Sequence, residues 1–171
     1  MLKKIDYYII NYSKPRIIWL LAGVSLLFNF ILFPLMASHG GTPLDLNYFY
    51  SADEAYLALN QFTELEQNRY FINECTNDVI YPLIYTSFLC LSIYRLFGKL
   101  SFARLPIFIL IFDYMENTGI LILLYNFPER LDTIAYMTGV FSGIKWLAAI
   151  FNIFMLLSGV FLLLFKKLKR A

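Results

Sequence analysis

The chain has 171 residues, 60% of them hydrophobic and 19% aromatic, with only 15% charged and a net charge of +2. A soluble domain usually carries about 25% charged residues, so these proportions argue against a water-soluble monomer. The absence of low-complexity tracts, of a glycine period and of a strong charge excess also excludes disorder, a collagen-like repeat and a nucleic-acid-binding arm.

A helix needs about 20 mostly apolar residues, at 1.5 Å each, to cross a hydrocarbon core of about 30 Å. Four runs qualify. The first, Ile17 to Ala37, carries no charge. A loop over residues 39–78 follows, opening on the turn-forming stretch His39-Gly40-Gly41-Thr42-Pro43. Ser51-Ala52-Asp53-Glu54 and Thr63-Glu64-Leu65-Glu66 both match the capping box, in which a hydroxyl and a carboxylate three residues on satisfy free backbone N–H groups. Two loop helices are therefore expected. Ala55, Tyr56, Leu59 and Phe62 form an apolar stripe on the first, suited to a bilayer surface or to capping the helices below. The second is expected to run from Glu64 without a break into the second span, Val79 to Phe97.

The third span, Leu105 to Phe127, contains Asp113 and Glu116. The fourth, Ile134 to Phe165, contains Lys145 and is longer than a crossing needs, which predicts tilt or projection. The expected fold is all-α, a polytopic four-helix transmembrane bundle forming one integral membrane domain over residues 1–171, with a helical outer loop between spans one and two.

Lys and Arg at span ends stay on the cytoplasmic side. Lys3, Lys4, Lys14, Arg16, Arg95, Lys99, Arg104, Lys166, Lys167, Lys169 and Arg170 cluster on one side, whereas the first loop holds only Arg69 against seven acids. Both termini are thus expected in the cytoplasm of a bacterial inner (plasma) membrane protein. A secretory leader cleaved after Ala37 is disfavoured by the long basic region, the late Pro34 and the poor site Leu35-Met36-Ala37. Cys75 and Cys90 would lie about 22 Å apart on one helix and cannot pair. With a single histidine and no Cys-x-x-Cys, Walker or Gly-x-Ser-x-Gly motif, no metal site and no cofactor are expected.

Ionisable residues at membrane depth are costly and mark functional sites by default. Asp113, Glu116 and Asn117 share one face of span three at i, i+3 and i+4, about 12 to 18 Å into the membrane. Thr138, Ser142, Lys145, Ala149 and Asn152 form a stripe on span four. Asp78, Tyr81 and Tyr85 do so on span two, and Ser25 and Asn29 are the polar residues of span one. One reading is structural, with an acid pairing with Lys145 to lock register. Counting depths places Lys145 about 10 Å nearer the outer face than Glu116, close enough for one pair but not for neutralising both acids. The excess acid is the case for function. Two carboxylates close together in low dielectric acquire separated proton affinities, as acid/base chemistry requires. Gly139 and Gly143 fit the close-approach pattern for helices and are expected to serve packing within the bundle.

The motifs Asp78-Val79-Ile80-Tyr81-Pro82 and Asp113-Tyr114-Met115-Glu116-Asn117, with Tyr50-Ser51-Ala52-Asp53-Glu54-Ala55-Tyr56 before them, resemble those of small four-span bacterial membrane proteins of unassigned function. A looser similarity is to the emopamil-binding and sigma-2 receptor superfamily, which implies a sterol-sized cavity faced by buried acids. This chain lacks that pattern's histidine within a span, and its acids fall at other places. The leading expectation is a bundle cavity open to the outer side that binds a lipidic or amphiphilic small molecule. Asp113 and Glu116 would form the acid/base or cation-binding pair, and Asn117, Asp78, Tyr81, Tyr85, Lys145 and Asn152 would line the site. Membrane lipids are the expected partners, nucleic acid is not, and a homo-oligomer is compatible with the sequence. The alternatives are a small proton- or cation-coupled transporter subunit and a non-catalytic assembly partner acting through its outer helices.

Overall fold

The computed structural model describes residues 2–36 and 41–169. The candidate cleavage position Ala37, and His39 and Gly40 of the expected turn, lie outside the described residues. The described residues form helices and no strand.

Helix α1 (Leu2–Tyr12) was not among the expected elements. Its Ile9 is buried, and Asp6 accepts two hydrogen bonds from the Arg104 guanidinium at 2.8 and 2.6 Å, which tie α1 to the opposite end of the chain's apolar helices from the 41–75 segment. Helix α2 (Pro15–Leu27) starts on Pro15, whose missing N–H costs nothing at a first helical position. It continues through a π-turn, Phe28–Leu32, into α3 (Phe33–Met36). Pro34 supplies the cause: its ring crowds the preceding turn and it donates no hydrogen bond. The wider turn relieves this, with the Phe33 N–H donating to the Phe28 carbonyl.

After a 3-10 turn, Leu44–Leu46, come α4 (Ala52–Leu59) and α5 (Glu64–Cys75). Both expected capping boxes form, Ser51 with Glu54 and Thr63 with Glu66. The Ser51 N–H holds the Glu54 carboxyl below its ordinary proton affinity. Helices α6 (Asn77–Phe97), α7 (Leu100–Ala103), α8 (Pro106–Asn126) and α9 (Asp132–Leu168) complete the chain. Four stretches, Pro15–Met36, Glu64–Phe97, Leu100–Asn126 and Asp132–Lys166, are apolar and long enough to cross a membrane. At 37 residues α9 spans about 55 Å, well beyond a single hydrocarbon core.

One expectation is corrected. The helix from Glu64 does not run straight into α6: Thr76, at φ −120° and ψ −78°, interrupts it. The Thr76 hydroxyl donates instead to the Ile72 carbonyl at 2.7 Å. This local bond competes with continued helix, as threonine side chains commonly do.

The stripe Ala55, Tyr56, Leu59 and Phe62 is buried, and packs with Leu44, Tyr50, Ile120, Leu123 and Ala135 over the α8–α9 turn. The Tyr56 hydroxyl accepts from the Leu131 N–H at 2.5 Å and donates to the Glu129 carbonyl at 3.2 Å, and Arg130 pairs with Asp53 at 2.5 Å. The segment is thus a cap, fastened at its centre. Gly139 and Gly143 of α9 seat the strand of chain that leads into α4. A Cβ on Gly139 would lie 1.9 Å from the Tyr50 carbonyl oxygen, and one on Gly143 3.4 Å from that of Tyr48. Ser142, between them, donates to the Asn47 carbonyl at 2.6 Å. Helices α8 and α9 meet as closely at Gly119, where a Cβ would stand 2.0 Å from the Thr138 hydroxyl.

Candidate functional site

Three helices bring their polar faces to one place. The Asp113, Glu116 and Asn117 face of α8 is buried, as are Thr138, Ser142, Lys145 and Asn152 on α9 and Asp78 at the head of α6. Lys145 is the centre of the arrangement. Its ammonium forms a close ion pair with Glu116, stands 3.6 Å from Asp113 Oδ1 and donates to the Asp45 carbonyl at 3.2 Å. The expectation that Lys145 reaches a single acid is therefore corrected: its long stem spans the offset in depth and sets the charge between the two carboxylates. Asp113 is held from its other side by the Tyr85 hydroxyl, which donates to Oδ2 at 2.5 Å.

Beside this network lies a cavity of about 800 Å³. Asp113, Lys145, Asp78, Tyr81 and Tyr85, all expected at the site, line it. The remaining expected residues stand behind the wall. Glu116 is fully buried against Lys145. Asn117 donates to the Asp78 carbonyl at 2.8 Å and so ties α8 to the start of α6. Asn152 donates to its own helix at Ala148, 2.8 Å away.

The cavity has residues that sequence reasoning left out of the site. Asp45, Tyr70 and Asn73 line the end nearest the 41–75 segment. Tyr70 accepts from the Leu44 N–H and donates to Asp45 Oδ1, both at 2.9 Å, and the Asn73 amide donates to the Asp78 carboxylate. Glu74 is 0% exposed, and neither of its carboxylate oxygens has a hydrogen-bond partner among the described residues. Its charged neighbours are Asp45, Asp78, Glu116 and Lys145. Tyr50 is buried nearby, with its hydroxyl unpartnered among the described residues. Burial, reinforced by Glu116, Asp45 and Glu74, pushes that phenol well above its ordinary range, so it remains a neutral donor. A signal for Glu74 existed, since it stands four residues before Asp78.

On the α2 side, Asn29 sits in the π-turn and donates to the Tyr81 hydroxyl at 2.6 Å. The Tyr81 ring is packed by Phe28 at 5.4 Å, Phe33 at 5.1 Å and Tyr85 at 5.1 Å between centroids. Trp146 adds a further aromatic wall, and Phe88, Leu89, Ile109, Ile153 and Leu156 close the end farthest from Asp45.

The cavity is thus graded along its length. Successive inward residues of α6 are Asp78, Tyr81, Tyr85 and then Phe88, and α9 passes from Lys145 to Leu156, about 16 Å further along. Asp45, Asn73 and Asp78 stand at one end among Phe33, Pro34, Met36, Pro43 and Leu46, the Tyr85–Asp113–Lys145 network lies in the middle, and the other end is hydrocarbon. No family model, curated protein or solved structure matches the chain. The chemistry of the site therefore rests on these residues alone. Among the described residues, no group of histidine, cysteine and acidic side chains has the arrangement to hold a metal ion.

Proposed function

We propose that this is a multi-pass protein of a bacterial inner membrane, with its termini in the cytoplasm, whose helical bundle encloses an outward-facing cavity that binds a lipidic or amphiphilic small molecule. The observation that carries the reading is the graded lining: a ligand with a polar head and an apolar body matches it end to end. The volume, about 800 Å³, suits one drug-sized molecule, since such sites typically measure about 300–1,000 Å³. In this reading Asp113 touches the ligand, while Tyr85 and Lys145 fix its carboxylate. Glu116 acts through Lys145 and is a positioning residue. Where binding leads to chemistry, Asp113 is the group placed to move a proton to or from the ligand.

The transporter alternative draws support from the acids at successive depths, Asp45, Asp78 and Asp113. A relay would need polar groups to continue past Asp113, and the cavity beyond it is walled by Phe88, Ile109, Ile153 and Leu156. Binding accounts for that apolar end and a relay does not. The assembly-partner alternative loses its expected surface, because Tyr56, Leu59 and Phe62 are spent inside the fold.

The test is mass spectrometry of lipid that co-purifies with the protein. An amphiphile is expected with the wild type and not with Asp113→Asn, nor with Ala149→Phe, which fills the middle of the cavity. Purified, folded wild type with no bound amphiphile, or equal amounts on all three proteins, would overturn the proposal.

A further inference from the structure

Lys145 is fully committed: Glu116, Asp113 and the Asp45 carbonyl take its ammonium. Beyond it, Asp45, Asp78 and Glu74 form no ion pair among the described residues, and Lys145 is the one cation acting on Glu74 and Asp78 there. Five carboxyl groups, of which Asp45, Asp78 and Asp113 line the cavity, therefore gather about a single ammonium. A carboxyl group withdrawn from water without a counter-charge favours its protonated form, and a cation placed beside it stabilises the charged one; the hydrogen bonds from Tyr70 to half-buried Asp45 and from Asn73 to buried Asp78 satisfy only part of their capacity. The fully buried, unpartnered Glu74 adds to the same imbalance from behind the wall.

The opposite charge is recognised here by the lining acids Asp45, Asp78 and Asp113. An anionic head would find the one ammonium of the site already engaged. Access is suggested by the helices on either side of the cavity. Helix α2 packs chiefly on α6, so the cavity is bounded by Ser25 of α2 and Asn29 of the π-turn on one side and by Ala149 and Ile153 of α9 on the other. In a bilayer that seam would open to lipid, and in the orientation proposed above the site would parallel the outer leaflet.

Resting on the amphiphile reading above, we infer that the ligand is a positively charged amphiphile of the outer leaflet, its ammonium-type head held among Asp45, Asp78 and Asp113 and its apolar body lying between α2 and α9 toward Leu156.

The protein has two tryptophans, so Trp19→Phe leaves Trp146, in the cavity wall, as the one fluorophore of its type. In phosphatidylcholine nanodiscs, quenching of Trp146 is titrated with three brominated dodecyl probes of equal chain length, carrying a trimethylammonium, a sulfate or a maltoside head. Saturable quenching by the ammonium probe is expected, with the sulfate and maltoside probes at least about tenfold weaker. Asp78→Asn should weaken the ammonium probe by about tenfold or more, the scale of a lost charged partner, and leave the maltoside probe unchanged. Asp45→Asn, which keeps an acceptor for Tyr70, carries the same expectation if Asp78→Asn fails to fold. Equal binding of all three heads, abolished by Ala149→Phe, would overturn the cationic assignment and leave the amphiphile reading standing. Absence of saturable quenching by any probe would overturn both.

Discussion

Removing the Lys145 ammonium would leave Asp113 and Glu116 buried together with no cation between them. Breaking a buried ion pair from one side costs about 3–5 kcal/mol, because the remaining charge is left uncompensated. Lys145→Met is expected to lower stability by that amount in a denaturant titration of the detergent-solubilised protein. Adding Glu116→Gln should recover part of the loss, since it removes the stranded carboxylate, and a strictly additive double variant would deny the coupling. The acids of this centre were legible in the sequence because Asp113, Glu116 and Asn117 fall on one helical face inside an apolar run. Asp45 was not, and Glu74 showed only in its four-residue spacing from Asp78. They sit in a segment whose composition reads as a solvated acidic loop, and only the folding back of residues 44–75 onto α8 and α9 brings Asp45 to the cavity and buries Glu74.

At the scale of elements, the polar cavity depends on how the segment before α4 is seated. Gly139 admits the Tyr50 carbonyl so closely that a Cβ would stand 1.9 Å from it, and the obstacle is backbone with no rotamer to change. Gly139→Ala is therefore expected to lift the 47–50 stretch from α9, to break the Ser142 bond to Asn47 and to raise hydrogen exchange over residues 44–60. Gly23→Ala is the matched control. A Cβ there meets nothing within 4 Å, so helix propensity alone should leave the protein as stable as before or up to about 1 kcal/mol more so. Similar exchange in the two variants would show that close approach at Gly139 does not hold the cap. The α9 glycines, both capping boxes and the apolar stripe of α4 were readable from local spacing. The interruption at Thr76 was not, because it follows from a side-chain bond to Ile72 that competes with a helix the sequence otherwise favours.

For the whole molecule, the four long apolar helices followed directly from composition, whereas their orientation is an inference from where bases and acids collect. The fold sharpens the means of checking it. Helix α1, Arg95 and Arg104 meet at one end through the Asp6–Arg104 pair and the Arg95 bond to the Ser13 carbonyl at 3.4 Å. The 41–75 segment meets the α8–α9 turn at the other end through Arg130 and Tyr56. The cysteines report on these ends without engineering, since Cys75 is exposed at the end of α5 and Cys90 is buried within α6. In intact spheroplasts a membrane-impermeant maleimide should label wild type once and Cys75→Ser not at all, whereas a cysteine placed at Lys169 in the Cys75→Ser chain should react only after permeabilisation. Labelling of Lys169→Cys in sealed cells, with Cys75 protected, would invert the topology. The carboxylate end of the cavity would then face the cytoplasm and its ligand would have to come from the inner leaflet. The orientation experiment therefore decides which leaflet can supply the amphiphile, independently of whether the cavity binds one.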